Sequence, residues 1–183
     1  MFNAAAALGI SVAKLTSGFD TVMFCLSKGL GAPVGSMLVG SRKAIEQARV
    51  HRKALGGGMR QAGVLAAAGL IALHEMPKRL AEDHANARLL AEAVAAHPEV
   101  AEIDLDAVQT NIVIFRLLGK DGANGGDAAA FATALRQKGV LVSAIGPHSI
   151  RFVTHYDVDR AACQTAAAVV SGQLKSVSDL VTV

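Results

Sequence analysis

The chain has 183 residues, 52% of them hydrophobic and 18% charged, a balance that excludes intrinsic disorder and allows one good hydrophobic core or two modest ones. Its formal net charge of +3 comes from basic residues scattered singly or in pairs, which excludes the clustered basic stripe that nucleic-acid binding needs. Apolar stretches such as Val64 to Leu73 are too short for a membrane span, the alanine-rich start lacks the basic flank of a secretory signal, and Cys25 and Cys163 match no CxxC or metal spacing, so cytoplasm is the expected compartment.

In chain order, Phe2, Ala5, Ala6, Gly9, Ile10, Val12 and Ala13 fall at helical spacing from the first residues, with no preceding cap, as if the chain were entered within a domain. This spacing predicts a helix to about Leu15, stopped by Ser17-Gly18. Thr21 to Leu26 and Val34 to Val39 read as strands on either side of the loop Ser27-Lys28-Gly29-Leu30-Gly31-Ala32-Pro33. Ser41 caps a helix through about Arg52, a glycine triplet follows at Gly56 to Gly58, and a second helical pattern runs from about Gln61 to Leu73. Pro77 restarts the chain as a long amphipathic helix from Lys78 to Ala96, since proline is tolerated in a first turn.

Beyond His97-Pro98, Val100 to Val108 and Asn111 to Leu117 read as strands, Asp127 to Gln137 as a helix, Val140 to Ile145 and Ile150 to Thr154 as strands, and Asp159 to about Leu174 as a closing helix. Gly119 to Gly126 is the glycine-rich loop between them. The fold class expected is α/β, with a small α/β sandwich of its own at the carboxy-terminal end and a boundary between Met76 and Pro98.

One lysine stands out by position. Lys28 sits at a strand end among glycines that allow close approach to the backbone, and a lysine acting as a nucleophile toward an aldehyde needs a partly desolvated, rigidly placed amine. A solvated lysine in a turn is the alternative that spacing alone leaves open. Arg151, in Ser149-Ile150-Arg151-Phe152-Val153-Thr154-His155, offers the planar fork that pairs with a carboxylate, or is merely an outward-facing strand residue between two core side chains. Arg60 follows the glycine triplet near a helix start, where free N–H groups favour anions, unless the segment is simply a solvent loop. The six histidines form no ligand-spaced cluster, and no metal site is expected.

Three motifs in order carry a resemblance. The run Ser27-Lys28-Gly29-Leu30-Gly31-Ala32-Pro33-Val34-Gly35-Ser36, then Arg52-Lys53-Ala54-Leu55-Gly56-Gly57-Gly58-Met59-Arg60-Gln61-Ala62-Gly63, then Leu80-Ala81-Glu82-Asp83-His84-Ala85-Asn86-Ala87, are similar to low-specificity L-threonine aldolases over nearly the whole chain. The resemblance implies a pyridoxal 5'-phosphate (PLP) enzyme of fold type I that cleaves β-hydroxy-α-amino acids such as threonine to glycine and an aldehyde. It implies that residues 1–76 are the carboxy-terminal part of the PLP-binding large domain and 77–183 a small α/β domain, with 78–96 as the linking helix. It assigns Lys28 as the catalytic residue that holds PLP covalently, with Ser27, Lys53 and Arg60 as further cofactor contacts and Arg151 as the binder of the substrate carboxylate. Arg60 and Lys53 are implied to serve the neighbouring subunit, which makes a homo-oligomer, dimer or tetramer, the expected state of the complete enzyme, and a small amino acid its partner.

The same resemblance implies what is missing. Family members carry an aspartate and an arginine just ahead of the segment that begins here at Met1, and upstream of those a ring-stacking histidine and a phosphate-binding loop; the expectation is a piece of a lyase, inactive alone. An aminotransferase or β-eliminating lyase of the same fold type, or a non-catalytic domain that keeps the scaffold, are the other readings.

Overall fold

In the computed structural model, which describes residues 1–119 and 125–181, the chain divides into two compact units, Met1–Ala81 and Glu82–Val183. Most of the loop expected at Gly119 to Gly126 lies outside the described residues.

The first unit opens with two short helices where one was expected, α1 (Phe2–Leu8) and α2 (Val12–Leu15). The break is at Gly9, which adopts the left-handed conformation (φ 63°) that glycine tolerates and a continuing helix does not. Ser11 then starts α2 by accepting from the Lys14 backbone N–H. Strands β1 (Thr21–Cys25) and β2 (Ser36–Gly40) pair antiparallel from Thr21↔Gly40 to Cys25↔Ser36. The second begins two residues later than Val34 because Pro33 and Gly35 (φ 127°) keep the entering chain irregular.

Ser41 caps α3 (Arg42–Ala54), whose last turn carries His51, Arg52 and Lys53 at the end where cations are favoured. Helix α4 (Gly63–His74) is apolar all round, yet Leu70, Ile71 and Val64 remain exposed. Leu26, Leu30, Ala32 and Ala72 form the small core of this unit, with Phe2, Phe24, Leu73 and Met76 packed against it.

A 3₁₀ turn, Met76–Arg79, precedes α5 (Leu80–Ala95), so the helix expected from Lys78 starts two residues late. Pro77 is the second residue of the 3₁₀ turn, within the first turn where proline is tolerated. In the second unit, four strands form an antiparallel sheet in the order β3 (Ala101–Glu102), β4 (Ile112–Leu117), β6 (Ser149–Val153), β5 (Ser143–Ala144). One sheet face supplies Val113, Phe115, Leu117, Ile150 and Phe152 to a core shared with α5, α6 (Ala128–Gln137) and α7 (Arg160–Val181). Phe115 meets both Phe131 and Phe152 edge-to-face.

Two expected strands shrink to two residues each. Past Glu102, the Asp104 carboxylate accepts from the Asp106 backbone and Val108 N–H bonds back to Leu105, turning the chain away. Before Ser143, Val140 is still tied to the end of α6 through its bond to Leu135, so Val140 and Val142 cover the core without joining the ladder, while Leu141 between them is exposed.

Candidate active site

Lys28 follows the last bend of β1. The Lys28 carbonyl accepts from Gly31 N–H (2.8 Å), Leu26 bonds Gly35 and Ala32 across the loop, and the turn is held shut below the lysine. Gly31 has φ +71°, a conformation costly for any side chain, and a Cβ there would press on the Met76 methyl at 3.2 Å. A Cβ on Gly29 would crowd the Asn3 amide at 3.2 Å. The glycines therefore let α1 lie close beside the lysine.

The result is a cleft of about 320 Å³ lined by Phe2, Asn3, Phe24, Cys25, Lys28 and Leu80, among others. That volume is at the low end for a small-molecule site. Its chemistry is an amine beside apolar and aromatic walls, with Phe2 and Phe24 set edge-to-face at 5.5 Å. Lys28 itself is exposed, so the desolvation expected of a nucleophilic lysine is not supplied by this unit's walls. Cys25 faces Ser36 across the hairpin, Sγ to Oγ 3.6 Å.

The other residues singled out in the first unit do not line this cleft. Ser27 is adjacent in sequence and exposed. Lys53 ends α3, and its side chain lies over Gly58, where an added Cβ would sit 2.8 Å from the Lys53 Cδ. Gly57 N–H closes the turn on the Arg52 carbonyl (2.8 Å), and a Cβ there would meet Arg52 at 3.0 Å. The triplet is thus a tight turn under two basic side chains, and Arg60 follows it on an exposed stretch with Leu55 (86% exposed) and Met59.

In the second unit, Arg151 lies at the centre of the outward sheet face. Alternation along β6 buries Ile150 and Phe152 and turns Arg151 outward, opposite Ile114 of β4 and Ser143 of β5. Ile112, Ile114 and Val153 are exposed on that face. Arg116 shares it, 3.7 Å from the Glu102 carboxylate, whereas Arg151 has no ion pair or hydrogen bond among the described residues.

Sequence reasoning missed the lock just beyond Arg151. Thr154 is buried and donates to the Asp83 carbonyl at 2.6 Å, while the Asn111 side chain donates to the Thr154 carbonyl at 2.8 Å. This explains part of the third motif: Asp83 and Asn86 are buried, and Asn86 accepts from Arg160 (3.4 Å) while its Nδ2 finds no partner among the described residues. Burial also holds the His84 imidazole below its ordinary value, against the opposing pull of the Asp83 carboxylate. Cys163 is buried, and burial pushes its thiol up.

The description of the beta-eliminating lyase family matches residues 1–117, which include Lys28, the glycine triplet and the buried acidic motif. The chain belongs to that family. Within the beta-eliminating lyases, it is 44% identical over 158 residues to low-specificity L-threonine aldolase 1 of Arabidopsis thaliana, covering 86% of this chain and 43% of that protein. It is 42% identical over 168 residues to the low specificity L-threonine aldolase of Escherichia coli strain K12, covering 92% and 47%. The resemblance read from the three motifs is borne out, and the chain spans less than half the length of these curated relatives. A solved structure of SPT with its PLP internal aldimine superimposes with a TM-score of 0.68 at 20% identity over 93% of this chain and 44% of that one. Its fold, of PLP fold type I, is shared here over about half its extent. Among the described residues no helix of this lyase-family chain is long and apolar enough to cross a membrane.

Proposed function

We propose that this chain is part of a PLP-dependent carbon–carbon lyase that cleaves L-threonine and related β-hydroxy-α-amino acids to glycine and an aldehyde. The observation that carries the reading is Lys28 at the mouth of its aromatic-walled cleft, on a glycine turn that lets α1 lie close beside it. The residues present suit the aldehyde and ring of PLP, since the amine meets the one and Phe2, Phe24 and Leu80 the other. When bound, PLP supplies an electron sink for the pair left by carbon–carbon cleavage.

The work of the chain itself is placement. Lys28 would hold the cofactor through Nζ, at the mouth of the cleft. Arg151 pairs with the substrate carboxylate through its fork, which fixes the orientation of the bond to be cleaved. Ser27 contributes a hydroxyl beside the lysine, and Lys53 and Arg60 serve the phosphate of a neighbouring subunit, an arrangement supported by their exposure away from their own lysine's cleft. On this reading 1–76 belongs to the PLP-binding domain and 77–183 to a small domain, the working enzyme is a homo-oligomer, and its compartment is the cytoplasm. Residues of the relatives that this chain does not span complete the pocket.

A chimera tests this: the chain replaces the matching stretch of the Escherichia coli relative, and glycine release from L-threonine is measured with added PLP. PLP-dependent release that Lys28→Ala abolishes is the expected result. A folded, PLP-loaded chimera that transaminates or β-eliminates but leaves threonine intact would overturn it.

A further inference from the structure

We infer that Ser143 is a second substrate-binding residue, donating its hydroxyl to the same carboxylate that Arg151 grips, with Ile114 as the apolar wall on the other side. The inference rests on the reading of Arg151 given above and extends it to residues that neither motif nor spacing marks.

In the antiparallel sheet Arg151 lies directly between two cross-strand partners, Ile114 on β4 and Ser143 on β5. Directly opposed residues of such pairs project from the same face with Cβ atoms about 5 Å apart. Ser143 and Ile114 are therefore the nearest outward neighbours of Arg151 on either side, and all three are exposed. The edge strand that carries Ser143 is short but fixed, because Ile145 N–H donates to the Ser149 carbonyl at 2.9 Å and closes the β5–β6 turn.

Charge decides which group the site takes. Of the two arginines on this face, Arg116 faces the Glu102 carboxylate at 3.7 Å, and Arg151 has no anion of its own among the described residues. Around it stand Ile112, Ile114 and Val153, which bring no competing acceptor and give the aliphatic stem of the arginine a surface to lie along. A carboxylate has about four lone-pair sites and a bidentate arginine uses two of them. A hydroxyl on one flank of the fork can meet a third, and an isoleucine on the other flank limits hydration of the pair. The ligand class this suits is a small carboxylate carried by a partly apolar molecule, as a β-hydroxy-α-amino acid is.

The test is a nitrogen-15 NMR titration of the 183-residue chain with L-threonine, and with L-threoninamide as the probe lacking a carboxylate. L-threonine should give saturable shifts at Ser143, Ile114 and the Arg151 side chain, and the amide none. Ser143→Ala should weaken binding roughly fivefold or more with the rest of the spectrum unchanged, and Ser143→Thr should restore it, because a hydrogen bond to a charged group is among the stronger ones. Saturable shifts at Arg151 that Ser143→Ala leaves equally tight would overturn the role of Ser143 and spare the reading of Arg151. No response at Arg151 in the wild-type chain would overturn both, independently of whether Lys28 takes PLP.

Discussion

His84 shows how a single side chain in the acidic motif ties stability to pH. Burial depresses its folded-state value below the ordinary 6.5, and the neighbouring Asp83 only partly offsets this. A histidine whose folded value is depressed contributes stability that is present above its unfolded value and is lost as pH falls through the folded one. The thermal midpoint should therefore drop as pH falls below about 6.5, and His84→Gln, which cannot titrate, should flatten that drop. An identical pH profile in the variant would show that His84 is not the group responsible. Lys28 is placed by the backbone instead, on the turn shaped by Gly29 and Gly31, so its position is legible in a short string of residues.

Among the elements, β6 links the proposed substrate arginine to the core. Thr154, one residue beyond the strand, bonds the Asp83 carbonyl at 2.6 Å and takes the Asn111 side chain on its own carbonyl. Thr154→Val keeps the shape and removes the side-chain bond to the Asp83 carbonyl, so it should cost about 1 kcal/mol in a denaturant titration; a loss within error of zero would mean that the bond does not hold the strand. Helices α3 and α6 and the strands β1 and β2 were legible because they depend on local signals, such as Ser41 as a cap, Pro77 at a first turn and glycines at the ends, whereas the break at Gly9 that splits α1 from α2 was not. The two shortened strands were not, since apolar alternation cannot tell a residue that pairs from one that only covers the core, as Val140 and Val142 do. Ser143 and Thr154 were invisible for a related reason: cross-strand partners and a bond spanning 71 residues have no signature in a local window.

For the whole molecule, the fact that matters is that the curated relatives are more than twice as long as the stretch they share with this chain. Leu55 (86% exposed), Met59 and Val64 (74% exposed) stand with Arg60 on one stretch of the first unit, as an interface segment would. If Arg60 serves a neighbour's cofactor, mixed oligomers of Lys28→Ala and Arg60→Ala chimeras should regain part of the activity that each lacks alone, because one composite site is whole. Mixed oligomers that form and stay inactive would show that Arg60 serves its own subunit or none. The central claim, that Lys28 is the residue built to hold PLP, is tested most directly by reducing the 183-residue chain with borohydride in limiting PLP and mapping the modified lysine by mass spectrometry. The account predicts that Lys28 carries most of the trapped adduct and that Lys28→Ala removes it; modification spread over Lys43, Lys53, Lys138 and Lys175 as much as over Lys28 would contradict it.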